Sequence, residues 1–170
     1  PPHPMLAESS QVLLNRRYHA LTTRYADQAS RVVSQAWVDL GSYDPADVSR
    51  LARHAGPVVD VISARAASAT SAYIATITET PVATASALVA PDWDSAFIAL
   101  RTSLSDGHDW FQAVESGRLR SEAVGSNAVV STARRAADEV AGPRIIGWRR
   151  TLSGNSCTWC STVAGGTYHS

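Results

Sequence analysis

Two thiols three positions apart, Cys157 and Cys160, are the residues whose type and spacing lend themselves most directly to chemistry. At Cys-x-x-Cys spacing a pair can grip one metal ion from a single turn, close a disulfide across that turn, or stand unreacted. Structural zinc takes four protein ligands, and Cys157, Cys160 and His169 supply three, so a zinc set is incomplete within these residues. Redox catalysis would place the dithiol after a strand, opening a helix of a βαβ unit, whereas the preceding region reads as helical. Elsewhere, Asp106, His108 and Asp109 cluster around Gly107, either as an acid/base or metal group or as a helix-capping turn, and the turn is the simpler expectation. His19 and His54 fall on expected helix surfaces. Arg134-Arg135 and Arg149-Arg150 are candidates for incidental contact with phosphates, although such pairs more often stay solvated or meet nearby acids.

The elements that must position these groups follow from apolar spacing. Leu14, Tyr18, Leu21, Tyr25, Ala29, Val32, Ala36 and Leu40 recur at four-three intervals, the mark of one helix face, and Gly41-Ser42 should end that helix. Asp44-Pro45 then offers an N-cap and a first helical residue for a second helix carrying Leu51, Ala55, Val58, Ile62, Ala66, Ala69, Tyr73 and Ile77. The two stripes predict an antiparallel hairpin, with Gly56-Pro57 interrupting or kinking its second arm. Pro81 to Pro91 reads as a loop or extended arm, buried on its own domain or free to meet a partner. Asp92 should cap a helix through Trp93, Phe97, Leu100 and Leu104. Trp110, Phe111 and Val114 should plug the core from a short segment, before a further helix from about Arg118 to Ala141. Gly142-Pro143 stops it, and the alternation of Ile146, Trp148, Arg150 and Leu152 predicts a strand leading to a Ser-Gly-Asn turn and the cysteines.

The expected class is therefore mainly α, a long antiparallel helical hairpin plus shorter helices, with a short β/turn segment bearing the Cys-x-x-Cys. Residues 1–143 form the helical domain and residues 144–170 begin a small terminal module. With 45% hydrophobic residues among 170, there is enough apolar material for a core. Fifteen basic residues, all arginine, balance fifteen acidic ones, which removes the general attraction to nucleic acid expected of a dedicated DNA binder. Two closely spaced cysteines make no disulfide framework, and no stretch is apolar and long enough to span a membrane. The sequence opens without Met and stops just past the cysteine pair, so it is expected to be part of a longer polypeptide.

From Arg144 the run Arg-Ile-Ile-Gly-Trp-Arg-Arg-Thr-Leu-Ser-Gly-Asn-Ser-Cys-Thr-Trp-Cys, continuing to Gly165-Gly166-Thr167-Tyr168-His169, resembles the MuF-like minor head, or head-morphogenesis, proteins of tailed phages, especially the actinobacteriophage type. Members carry a helical region, an Ile-Gly-Trp/Tyr-Arg-Arg strand, a Gly-Asn turn, a Cys-x-x-Cys pair, and a downstream His and Cys-x-Cys cluster; all but that cluster is matched here. The resemblance implies a structural, non-enzymatic virion component inside the capsid near the portal vertex, present in the host cytoplasm during assembly. Its implied partners are the portal protein and a major capsid or scaffolding protein, with incidental contact to packaged DNA and none to membrane. Cys157 and Cys160 would form half of a metal-type knuckle or a disulfide pair, with His169 as a possible third ligand and zinc as the implied metal. Two other classes remain open on the residues themselves. One is a zinc- or thiol-dependent module for nucleic-acid binding or redox work centred on Cys157 and Cys160. The other is a helical effector acting on membranes through Ala66 to Ala90.

Overall fold

The computed structural model describes residues 4–44, 46–86, 88–141, 148–149 and 167–168. The protein is mainly helical, with α1 at Pro4–Val38, α2 at Asp47–Thr78, α3 at Asp94–Ser105 and α4 at Trp110–Ala141. The chain divides into two compact units, Pro1–Val140 and Ala141–Ser170.

α1 and α2 pack along their length as an antiparallel pair, as the matched apolar stripes predict. α1 begins at Pro4, ten positions before the first periodic apolar residue, because proline suits a first helical position, where its missing N–H has no bond to lose. Its buried face is Ala26, Ala29, Val33, Trp37 and Leu40, which keeps Ala29 and Leu40 of the expected stripe and elsewhere falls one residue later. Tyr25, Val32 and Ala36 flank that face and are only partly buried. On α2 Leu51, Ala55, Ile62 and Ala66 are buried as expected, while Val59 and Ile74 replace Val58 and Tyr73, and Val58 is 43% exposed. Both helices are apolar over more than one strip, so spacing fixes the helix but not which strip turns inward.

α2 runs through Pro57 without interruption, which leaves a kink as the other half of that expectation. Two features permit this. Gly56 presents no Cβ to collide with the proline ring, and Pro57 sits on the exposed face, where water can serve the carbonyl left without a donor. The start of α2 also differs from expectation, since no side chain caps it from Asp44. Instead the buried Asp47 carboxylate reaches back, accepting from the Asp44 N–H at 3.1 Å and the Ser42 hydroxyl at 3.0 Å. This is the returning half of a capping box. Arg50 closes the corner by donating to the Leu40 carbonyl at 3.2 Å while pairing with Asp47.

The expected short aromatic segment and the helix after it are one 32-residue helix, α4. Asp109 and Gln112 fix its start reciprocally, the Gln112 N–H donating to the Asp109 carboxylate at 2.8 Å and the Asp109 N–H to the Gln112 amide oxygen at 3.1 Å. That places Trp110 and Phe111 in the exposed first turn, not in the core; the core aromatics are Trp37 and Phe97, with ring centroids 4.9 Å apart. α4 lies against α1 through small residues spaced by four, Ala113, Gly117, Ser121 and Gly125, all buried. A Cβ at Gly125 would stand 2.7 Å from the Ala29 carbonyl oxygen, so the two backbones meet there as closely as glycine allows.

Between α2 and α3 the chain crosses without helix or strand, pinned twice by hydroxyls. The Ala85 N–H donates to Ser71 Oγ at 3.2 Å and the Val89 N–H to Thr132 Oγ1 at 3.0 Å. Ala85 is buried with Ala67 and Ala136, so the arm is anchored on its own domain at that residue, while Pro81, Ala83, Thr84, Ser86, Leu88 and Ala90 are exposed. Asp92 serves α3 through its main-chain carbonyl, which receives the Ser95 N–H and hydroxyl, and not through its side chain.

In the second unit Trp148–Arg149 and Thr167–Tyr168 pair antiparallel, Trp148 opposite Tyr168 and Arg149 opposite Thr167. The remainder of the expected strand and turn lies outside the described residues.

Candidate functional site

Cys157, Cys160 and His169 lie outside the described residues. By sequence the thiols fall in the stretch between the two paired strands, and His169 directly follows the second. The donor set remains two thiols and one imidazole, which does not fit the four-ligand requirement of structural zinc from this chain alone. Among the described residues no group of three His, Cys, Asp or Glu side chains converges as a metal site would need.

Asp106, His108 and Asp109 sit in the turn between α3 and α4, and the hydrogen bonds they form are local to it. Asp106 ends α3 with its N–H on the Thr102 carbonyl at 2.9 Å, the His108 ring contacts the Ser103 carbonyl at 3.2 Å, and Asp109 caps α4. Gly107 takes a φ of +86°, which accounts for the glycine. His19, His54, Arg134 and Arg135 are exposed and distant in sequence from any such cluster.

Two polar groups tie the helices together. Arg118 donates to both Glu115 oxygens, at 2.7 and 2.5 Å, to Glu122, and to Ser34 of α1 at 3.2 Å. The Arg118 hydrogen bonds hold the Glu115 carboxyl below its usual range. The second group closes the free end of the hairpin. Tyr18 and Tyr73 stack with centroids 4.4 Å apart, Tyr73 donates to Asn15, and the Tyr18 hydroxyl meets Thr70 Oγ1 at 3.0 Å. Since the Thr70 hydroxyl already donates to the Ala66 carbonyl, Tyr18 is the donor.

Burial, then the neighbouring Tyr18, pushes the Tyr73 phenol above its ordinary value. Its folded pKa thus exceeds the unfolded one, so the stability it contributes is complete below about pH 10 and is lost as pH rises through the folded value. The expected result is a melting temperature that falls above pH 10 in the native chain and falls less in Tyr73→Phe. Thermal melts paired with phenolate absorbance check it; equal slopes in both proteins would contradict the assignment.

Large apolar side chains are exposed at several places among the described residues, and two of these surfaces bear on binding. One is the α3–α4 turn, where Phe111 is 83% and Trp110 51% exposed, with Leu104 just before the turn. The other is a groove of about 550 Å³ on the outer side of the hairpin, lined by Tyr25, Val61, Ala64, Arg65, Ser68 and Ala69. Apolar spacing places Tyr25 and Ala69 in the internal seam and does not include Val61. Arg17, Arg24 and Arg31 lie outside the apolar stripes, and their seven-residue spacing is the signal that marks them.

Comparison with protein-family models, with curated proteins and with solved structures finds no match to the chain. No helix among the described residues is long and apolar enough to cross a membrane.

Proposed function

We propose that this chain is a structural minor head protein of a tailed phage, docking on the portal ring inside the capsid and acting there by binding. One structural observation carries the reading: a rigid helical unit presents Phe111 and Trp110 to solvent on the capped first turn of α4. Large aromatics held on a fixed backbone are the kind of residue that dominates protein–protein contacts, because they bury much area at little entropic cost. The Ile-Gly-Trp-Arg-Arg to Cys-x-x-Cys run from Ile146 supports the choice of partner. In this reading the cysteine turn braces the small second unit, the major capsid or scaffolding protein is a further contact, and Arg134-Arg135 touches packaged DNA incidentally. Assistance to head assembly, DNA packaging or DNA exit follows from position at the portal.

The test is co-expression with the portal protein of the same phage, followed by co-sedimentation. Association is expected, weakened about thirtyfold or more in Phe111→Ser, with helical content and melting temperature unchanged because the side chain is exposed. Failure of the native chain to co-sediment with portal or to appear in virions would end the proposal.

A further inference from the structure

Along α1, Arg17, Arg24 and Arg31 are all exposed and form no hydrogen bond or ion pair among the described residues. Seven residues turn a helix almost two full circles, so the three follow one another in a row, each about 10 Å from the next. The row lies beside Leu21 and, further round the helix, Tyr25, the α1 residue that lines the outer hairpin groove. On the opposite wall Val61 is 52% exposed and the one charged lining residue is Arg65, also without an ion partner among the described residues. Arginines thus stand beside an apolar trough on both helices, with Asp27 and Asp60 the exposed acids nearest to it in sequence.

We propose that this groove receives an amphipathic helix with an acidic flank, supplied by a partner protein. Groove shape asks for a helix whose apolar stripe sits on Tyr25 and Val61, in the manner of helix-in-groove recognition. Arginines at heptad spacing ask for Glu or Asp at heptad spacing, the pairing that sets partner choice in coiled coils. A second copy of this face offers arginines where the row calls for acids. A phosphate backbone satisfies the row but leaves the apolar trough unfilled, and a bilayer surface meets a convex apolar face, not a groove between two helices. The inference stands on the hairpin alone and is independent of the portal reading, which rests on the α3–α4 turn.

The experiment uses the full chain and two synthetic helices of about four heptads with one apolar stripe, flanked by Glu in one and Lys in the other. By fluorescence anisotropy the Glu helix is expected to bind at least about tenfold tighter than the Lys helix, with the difference shrinking in high salt. The double variant Arg24→Glu/Arg31→Glu is expected to reverse that order, which a merely misfolded protein cannot do. Val61→Glu should remove binding of both helices, with circular dichroism unchanged. The proposal is overturned by equal binding of the two helices or by an order that survives the charge reversal. It is overturned equally by preference for duplex DNA or anionic phosphatidylserine vesicles, or by self-association that Val61→Glu abolishes.

Discussion

Trp37→Ala is expected to cost about 3–5 kcal/mol, a large part of the 5–15 kcal/mol typical of a domain. The indole is fully buried, its ring centroid 4.9 Å from those of both Phe97 and Tyr43, and Gly117 of α4 leaves room for it. Three elements and the α1–α2 corner therefore lose contacts together. Trp37 Nε1 is buried with no hydrogen-bond partner among the described residues. Trp37→Phe removes that donor while keeping an aromatic, and should lose half as much stability as the alanine variant or less. Urea denaturation reads both as shifts of midpoint at constant slope. An alanine variant within about 1 kcal/mol of native would show that the indole is not the centre of the core.

The second large effect is expected where α4 meets α1. At Gly125 an added Cβ would lie 2.7 Å from the Ala29 carbonyl oxygen and 2.8 Å from Val33 Cγ2. Overpacking of that kind costs about 1–3 kcal/mol, against which alanine in a helix gains up to about 1 kcal/mol over glycine. Gly125→Ala should therefore be destabilising by about 1–2 kcal/mol, and Gly125→Leu, which pushes three further carbons toward the same backbone, by about 4 kcal/mol or more. Adding Val33→Ala relieves the side-chain half of the clash but not the carbonyl half, so a double-mutant cycle should show partial rescue. A neutral or stabilising Gly125→Ala would mean that the helices stand further apart than this packing requires.

The existence of α1 and α2 and their antiparallel pairing were legible because a four-three apolar rhythm has one simple reading over thirty residues. Their rotation is legible only in part, since Ala29, Leu40, Leu51, Ala55, Ile62 and Ala66 are buried where the spacing puts them. Tyr25 and Ala26, or Val58 and Val59, are equally good core residues by type, and only the arrival of α3 and α4 decides which turns inward. The misplacement of Trp110 and Phe111 has a different cause. Size alone places aromatic residues in a core, although the Asp109-x-x-Gln112 pattern beside them marks a helix start. Likewise the spacing of Ala113, Gly117, Ser121 and Gly125 was available as a sign of close helix approach. Of the candidate chemistry, the turn reading for Asp106 to Asp109 follows from the residues themselves, since Gly107 and a capping Asp favour it. The groove at Tyr25 was legible only in part, because concavity belongs to two helices together and not to either stripe.

The crossing between α2 and α3 is gripped at its main-chain amides by Ser71 and Thr132, hydroxyls contributed by other elements. Such a clasp is indifferent to the identity of the exposed side chains it holds, such as those of Thr84 and Ser86. Substitution can accumulate there without loosening the helices, so the outward character of this stretch can diverge quickly while its path persists. The same indifference makes it a suitable place to graft a reporter peptide.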